Sequence, residues 1–290
     1  MKYIYYPGCS LESSGKEYNT STRSVMTALG ADLKELNDWT CCGASAAEAT
    51  SRLLSIVLPA RNLALGQKSD PGSDFMVPCS SCYLNLRRVD DHVMRDEKLL
   101  SKINEALKEE GLEFKIGAKV RHLLDVLARD FKPSDFTALV KKSLTGMAVA
   151  PYYGCQALRP YADFDDPQEP GSMEPIIQSL GAGVFPWAMG AKCCGAALMT
   201  TKKEVAMELT GAILDAARGA DCIVTVCPMC QLNLEAFQSS ISKSRGHDLT
   251  IPILYLPQLI CIAFGLPKED LRLDLNLAMT DVFRKRIGAA

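Results

Sequence analysis

The sequence predicts an α/β fold of two homologous cysteine-rich domains, each with a parallel sheet, related by pseudo-twofold repetition. Three observations carry this. First, four motifs recur in one register. Tyr5-Tyr6-Pro7-Gly8-Cys9 returns as Pro151-Tyr152-Tyr153-Gly154-Cys155, and Leu29-Gly30-Ala31 as Leu180-Gly181-Ala182. Cys41-Cys42-Gly43-Ala44 returns as Cys193-Cys194-Gly195-Ala196, and Cys79-Ser80-Ser81-Cys82-Tyr83-Leu84-Asn85-Leu86 as Cys227-Pro228-Met229-Cys230-Gln231-Leu232-Asn233-Leu234. An offset held between 146 and 152 residues marks duplication of a whole structural unit. Second, short apolar runs are each followed by a cysteine and then by helical periodicity, the alternation of a parallel sheet with covered faces. Third, 290 residues that are 48% hydrophobic suffice for two such cores.

Along the chain, Tyr3–Tyr6 reads as the first buried strand and Phe75–Val77 as another. Ala44–Leu58 reads as a helix with Pro59 as a kink or boundary. Leu99, Ile103 and Leu107 form one helical stripe; Val120, Leu123, Leu124 and Leu127 form a second, which puts a helix over Val120–Ala128. Leu256–Phe264 occupies the same place in the second unit. Lys132–Thr145, punctuated by Pro133 and Gly146, separates a domain at 1–145 from one at 146–290 that ends in a helical tail. In the second unit Met147–Ala150 and Cys222–Val226 read as strands and Lys203–Ala217 as a helix. The uncharged stretch Leu249–Pro267 approaches the length of a membrane span, but Pro252 and Pro257 interrupt it and Gly265-Leu266-Pro267 stops it. It reads as a buried strand at Ile253–Leu256 followed by a short core helix opened by Pro257, so no membrane span is expected.

A formal charge of −2 from 32 basic and 34 acidic residues, interspersed, argues against a nucleic-acid partner. Met1-Lys2 runs at once into Tyr3-Ile4-Tyr5-Tyr6, without the pattern of a secretory signal. A cytoplasmic, reducing setting is therefore expected, in which the twelve cysteines do not serve as structural disulfides.

Ten of those cysteines fall into two sets, Cys9, Cys41, Cys42, Cys79 and Cys82, then Cys155, Cys193, Cys194, Cys227 and Cys230. They sit in strand-to-helix turns, where helix N-termini favour anions at the carboxyl ends of a parallel sheet. Structural zinc takes four ligands and would leave one thiol idle in each set. A thioredoxin-like dithiol fits Cys227-Pro228-Met229-Cys230 locally, but even with both CysxxCys motifs counted it leaves six thiols, the two vicinal pairs among them, unexplained. Iron–sulfur clusters, held by cysteine thiolates, usually four, are the favoured reading, with the fifth thiol bridging irons or marking a cluster other than a simple cubane.

The two Cys-x(31–38)-CysCysGly-x(32–36)-CysxxCys motifs resemble the cysteine-rich CCG domain pair of the heterodisulfide reductase B-type chain. Tyr6-Pro7-Gly8-Cys9-Ser10-Leu11, Tyr153-Gly154-Cys155-Gln156 and Leu158-Arg159-Pro160 strengthen the resemblance, which leaves out only the tail from about Lys268. It implies two non-cubane [4Fe-4S] clusters, each on one set of five cysteines. A disulfide of the CoM-S-S-CoB type, or a related thiol disulfide, would sit between them and be reduced in two one-electron steps. No protein acid or base is assigned. It further implies electrons from a ferredoxin-like [4Fe-4S] subunit, the C-type partner of such reductases. That partner is fed in turn by the flavin-containing A-type partner, with a hydrogenase or formate dehydrogenase module as a further component. The alternative, on the same fold, is an electron-transfer or membrane-anchoring CCG subunit of a succinate dehydrogenase or hydroxy-acid oxidase complex.

Lys192, beside the second vicinal pair, and Arg159, near Cys155, are candidates for binding an anionic thiol substrate. Cys222 and Cys261, in apolar surroundings, read as core filler. Gly43 and Gly195 suit a tight turn or a close approach to a cluster. Pro228-Met229 in place of Ser80-Ser81 suggests that the two pockets are not equivalent.

Overall fold

Buried apolar runs supply the central strands, and a mostly charged segment in one sheet and a two-residue segment in the other each supply one edge. A computed structural model describes residues 1–44 and 46–288. In the first half, β1 (Lys2–Tyr5), β2 (Asp32–Glu35), β3 (Phe75–Val77) and β4 (Val120–His122) form a sheet of order β2-β1-β3-β4. In the second, β5 (Ala148–Tyr152), β6 (Gly183–Val184), β7 (Cys222–Thr225) and β8 (Ile253–Tyr255) repeat it as β6-β5-β7-β8. Every pairing is parallel. Edge strand β2 is Asp-Leu-Lys-Glu, a charged edge that discourages pairing with another chain.

Pro151 stands inside central strand β5, where a missing N–H would ordinarily break the ladder. Its carbonyl accepts from the indole N–H of Trp187 at 3.1 Å, which places its backbone on the β6 side. There β6 has already ended at Val184, so no ladder bond is forfeited.

Three readings of local structure are corrected. Ala44–Leu58 is not one helix: a short helix at Ala46–Thr50 is followed by a second at Leu54–Ser69, and Ser45 lies outside the described residues. The longer helix runs through Pro59, whose ring is buried and which gives up only a bond near the first turn. Val120–Ala128 begins as strand, because Val120-Arg121-His122 pairs with Phe75-Met76-Val77; the helix starts at Leu123. The apolar period of four residues there suited both states. Strands β2 and β6 carried too little apolar signal to be read. The Ile253–Tyr255 strand and the Leu256–Phe264 helix, with Pro257 in its first turn, are as expected. So are the helix Lys203–Ala216 and the tail helices Lys268–Leu271 and Asp281–Arg286. Among the described residues no helix is long and apolar enough to cross a membrane.

The halves are interlocked. The Leu256–Phe264 helix of the second packs on the Lys16–Ala28 helix of the first. There Cys261 Sγ lies 3.7 Å from the carbonyl of Ser21, fully buried, as befits core packing. Cys222 is equally buried in β7.

Candidate metal centre

All ten candidate thiols lie beyond the carboxyl ends of the strands. Cys79 caps the Ser80–Arg95 helix and Cys227 the Pro228–Ala236 helix. Cys82 and Cys230 follow one turn later on the same faces. In the first half Cys9 Sγ lies 3.7 Å from Cys41 Sγ, and Cys42 Sγ 3.4 Å from Cys82 Sγ. In the second, Cys194 Sγ lies 3.6 Å from Cys230 Sγ, and all five thiols line one small cavity of about 70 Å³. Cys42, Cys79, Cys82, Cys194, Cys227 and Cys230 are buried, whereas Cys9, Cys41 and Cys193 are exposed and Cys155 is half-buried. Each site therefore has a dry floor and an open rim.

The same supports recur in both halves, and sequence reasoning had not assigned them. Tyr6 donates to the carbonyl of Thr40 at 2.7 Å, and Tyr152 to that of Lys192 at 2.7 Å; each accepting residue immediately precedes a vicinal pair. Asn85 donates to the carbonyl of Cys42 at 3.2 Å, and Asn233 to that of Cys194 at 2.8 Å. These side chains pin each CysCysGly loop at two points, the carbonyl before the vicinal pair and the carbonyl of its second cysteine. A Cβ on Gly8 would stand 2.7 Å from Cys82 Sγ, and one on Gly154 3.0 Å from Cys230 Sγ, with φ of +74° and +70°. The backbone is thus pressed against the last thiol of each set. The signal was in the repeat itself, since each of these residues occupies equivalent places in the two copies.

Gly43 and Gly195 have φ of +77° and +80°. Their N–H groups point at Cys41 Sγ and Cys193 Sγ, both at 3.4 Å. Cys193 is held down to about 6 by its hydrogen bond from Cys155, helped by Gly195 N–H and the charge of Arg159. Cys41 is pulled down in the same way by Cys42, Cys9 and Gly43. Cys82 and Cys230 are pushed up instead, by their bonds to Cys42 and Cys79 and to Cys194 and Cys227, and by burial. In the metal-free chain iodoacetamide is therefore expected to label exposed Cys193 first, with Cys41, because the thiolate is the nucleophile. Labelling of Cys193 should fall off as pH drops through about 6, as its thiolate takes up a proton. Peptide mass spectrometry across pH checks this; prior labelling of Cys230 would contradict it.

The donor set suits a multi-iron group. Five thiolates gathered in a largely buried pocket repel one another and lose hydration, so they are tenable together only around cationic metal. Among the described residues no three His, Cys, Asp or Glu side chains close on a point that fits a single metal ion. The five thiols of the second site are instead arranged around a cavity.

Of the two candidate substrate residues, Lys192 is exposed beside Cys193 and borders a cleft of about 580 Å³ that also includes Tyr153 and Trp187 but none of the ten thiols. The Arg159 guanidinium donates to the carbonyls of Pro167 and Ala191, both at 2.6 Å, so it ties together the loops that carry Cys155 and Cys193.

The two sites adjoin. Ser80 and Ser81 of the first half line the second cavity beside Gln156 and Met229, and Ser81 hydrogen-bonds Gln156. Reciprocally, Pro228 of the second half lies against Gly15, in the loop that follows Cys9.

Comparison with known proteins is consistent along the whole chain. A family model described as CCG, cysteine-rich domain, matches twice, over residues 3–87 and 149–235. The chain is 34% identical to the 8-methylmenaquinol:fumarate reductase membrane anchor subunit of Wolinella succinogenes, over 95% of this chain and 96% of the relative. It is 30% identical to a protein of Archaeoglobus profundus named as like the B-type chain of heterodisulfide reductase, over 93% and 92%. It is 25% identical to the B-type chain of the ferredoxin:CoB-CoM heterodisulfide reductase of Methanosarcina mazei, over 99% and 97%. A crystal structure of a hypothetical protein from Helicobacter pylori shares the fold, with a TM-score of 0.75 at 16% identity. That match takes in 97% of this chain but 52% of the other.

Proposed function

The chain belongs to the cysteine-rich CCG domain family, and on that footing we propose that it is an iron–sulfur oxidoreductase subunit that reduces a disulfide. The observation that carries this is the pair of five-thiol sites that share a wall, one on each copy of the repeat. In this reading Cys9, Cys41, Cys42, Cys79 and Cys82 hold one cluster, and Cys155, Cys193, Cys194, Cys227 and Cys230 the other, in domains at 1–145 and 146–290. Two [4Fe-4S] clusters bound there, non-cubane by virtue of the fifth thiol, supply single electrons and Lewis-acidic iron.

The protein's own part is positional. Tyr6, Tyr152, Asn85 and Asn233 fix the vicinal pairs, and the buried thiols form a floor from which water is excluded. Access is from the rim at Cys9, Cys41 and Cys193, where Lys192 attracts an anionic group on the substrate. Breaking the sulfur–sulfur bond consumes two electrons, and release of two thiols consumes two protons. Electrons come from a ferredoxin-like subunit and behind it a flavin subunit, with a hydrogenase or formate dehydrogenase module as the ultimate source, all in the cytoplasm.

One observation favours a second reading. The relative that matches at 34% identity is named as a subunit of a quinol:fumarate reductase, so the same fold would serve as an electron relay between other subunits. The deciding experiment uses anaerobically purified, iron-loaded protein with reduced viologen dye and a panel of low-molecular-weight disulfides, CoM-S-S-CoB among them. Dye oxidation that depends on one disulfide and yields two thiols is expected. Iron-loaded protein that oxidises no dye with any disulfide assigns the chain to the relay reading.

A further inference from the structure

The helices that carry the two CysxxCys motifs hold opposite charges at one equivalent place. Aligned on those motifs, Glu235 of the second half stands where the first half has Arg87. Arg87 is half-buried, and its charge is met by Asp163 at 2.7 Å. Glu235 is 4% exposed, and its hydrogen-bond donors are neutral: the amide of Gln231 at 2.6 Å, the N–H of Leu277 at 2.9 Å and the amide of Asn276 at 3.5 Å. Glu17 of the first half is buried more deeply still, 1% exposed, and its Oε2 has no hydrogen-bond partner among the described residues. Tyr255 Oη lies between the two helices that carry these carboxyls. It is 3.4 Å from Gln231 Oε1, and 3.3 Å from the place of a Cβ on Gly15, the residue that opens the Glu17 helix.

The charged groups that act on Glu17 are Arg272 and Asp274 of the tail, and those two pair with each other at 3.2 Å. Tyr18 and Tyr255, stacked on each other, stay neutral because burial pushes both hydroxyls far up. Cys227 is the other titratable group whose charge reaches both rings. Burial, with the charge of Glu17 behind it, raises Glu235 to about 7, and burial raises Glu17 as well. Two buried like charges without a paired cation lower their energy by keeping a proton between them. Near neutral pH the pair therefore stands where a small added field decides whether it holds one more.

An electron added to a largely buried site brings negative charge into the same poorly screened region. Glu235 stands five residues after Cys230 on one helix, about 7.5 Å along its axis. We propose that the Glu17–Glu235 pair takes up one proton from solvent when the second site gains an electron, so that reduction of that site is proton-coupled. The first site, with Arg87 at the equivalent place, has no such acid on its helix. Solvent is one residue away, because Leu277, whose N–H bonds Glu235, is 66% exposed. The balance is one electron to the iron of the site and one proton to a carboxylate of the pair, which leaves the net charge of the region unchanged. This rests on the cluster reading above and adds the proton that accompanies the electron.

The test is an anaerobic redox titration of the iron-loaded protein at a series of pH values, with iron content measured on each sample. One midpoint is expected to fall as pH rises through about 7, by a total equal to a tenfold change in the ratio of reduced to oxidised site, about 59 mV for a one-electron couple. The other should stay level. Glu235→Gln, which keeps the shape of the side chain, should level the moving midpoint. Glu17→Gln, which removes the push of one carboxylate on the other, should shift its fall to lower pH. Glu204→Gln, an exposed carboxylate on the neighbouring Lys203–Ala216 helix, should change nothing. The metal-free chain gives an independent readout. There the Tm advantage of Glu235→Gln over the native chain should grow as pH rises from the ordinary glutamate range to about 7, because the native fold must then carry an ionised Glu235. Native midpoints that are level with pH, or a fall that survives in Glu235→Gln at full iron content, overturn the inference and leave the cluster reading intact. A native preparation that binds no iron overturns the cluster reading and the inference with it.

Discussion

Replacing Cys82 with serine is expected to cost the protein about half its iron, from about eight atoms per chain to about four, taking four per cluster. Cys82 is the thiol whose loss the first site can least absorb. It is buried in the first turn of the Ser80–Arg95 helix, 3.4 Å from Cys42, and is pressed by the backbone at Gly8. A neutral serine hydroxyl there is a far weaker iron ligand than a thiolate and leaves a polar group in a site built for sulfur. The second site should survive, because its five thiols and the side chains that pin its loop, Tyr152 and Asn233, come from the second half, and the first half adds only the wall at Ser80 and Ser81. Iron assay and the absorbance of the anaerobic protein give the answer. Retention of all the iron would show that the fifth thiol substitutes for Cys82; loss of all of it would show that the sites fill together. Cys9→Ser is the informative contrast. Cys9 is exposed on the rim, so its replacement should reduce iron less than that of Cys82.

The architecture was legible in the sequence to the extent that it was written twice. The α/β class and the ten-cysteine division followed from the register of the repeat, because a buried central strand and a strand-to-helix turn both leave local marks. What stayed illegible had weak or ambiguous local marks. β6 is two residues long and β2 is mostly charged, so neither carries an apolar pattern. Val120, Leu123, Leu124 and Leu127 satisfy a helical period, yet Val120 is held extended by its pairing with Phe75, a tertiary contact that no window of sequence contains. Arg159 illustrates the same limit at the site. Its charge and its closeness to Cys155 were legible, whereas the carbonyls it bonds were decided by the folding of the 155–192 loops. The junction was visible only as a difference between Ser80-Ser81 and Pro228-Met229; that Tyr18 bonds the carbonyls of both Pro78 and Val226 required the packing of the two halves.

Alanine at Gly8 is expected to damage both the fold and the first metal site, in a way that separates backbone strain from contact with the thiol. Gly8 has φ +74° and ψ 164°, a region in which residues with a Cβ are essentially not found. That alone costs roughly 1–3 kcal/mol. For a chain of this size, about 2 kcal/mol lowers Tm by roughly 3–4 °C. The added methyl would also stand 2.7 Å from Cys82 Sγ, on the backbone side where the thiol has no room to retreat into the buried floor. Iron at the first site should therefore fall together with Tm. Gly154→Ala imposes the equivalent change on the second site with a longer approach, 3.0 Å to Cys230 Sγ, and should be milder on both measures. Gly30→Ala provides the control. Gly30 has φ +75°, but a Cβ there meets nothing within 4 Å, so the variant carries strain and no contact with a thiol. It should lose some thermal stability and keep its iron. If Gly8→Ala and Gly30→Ala lose iron equally, general destabilisation governs cluster retention. If only Gly8→Ala loses iron, the close approach of the backbone to Cys82 is what shapes the site.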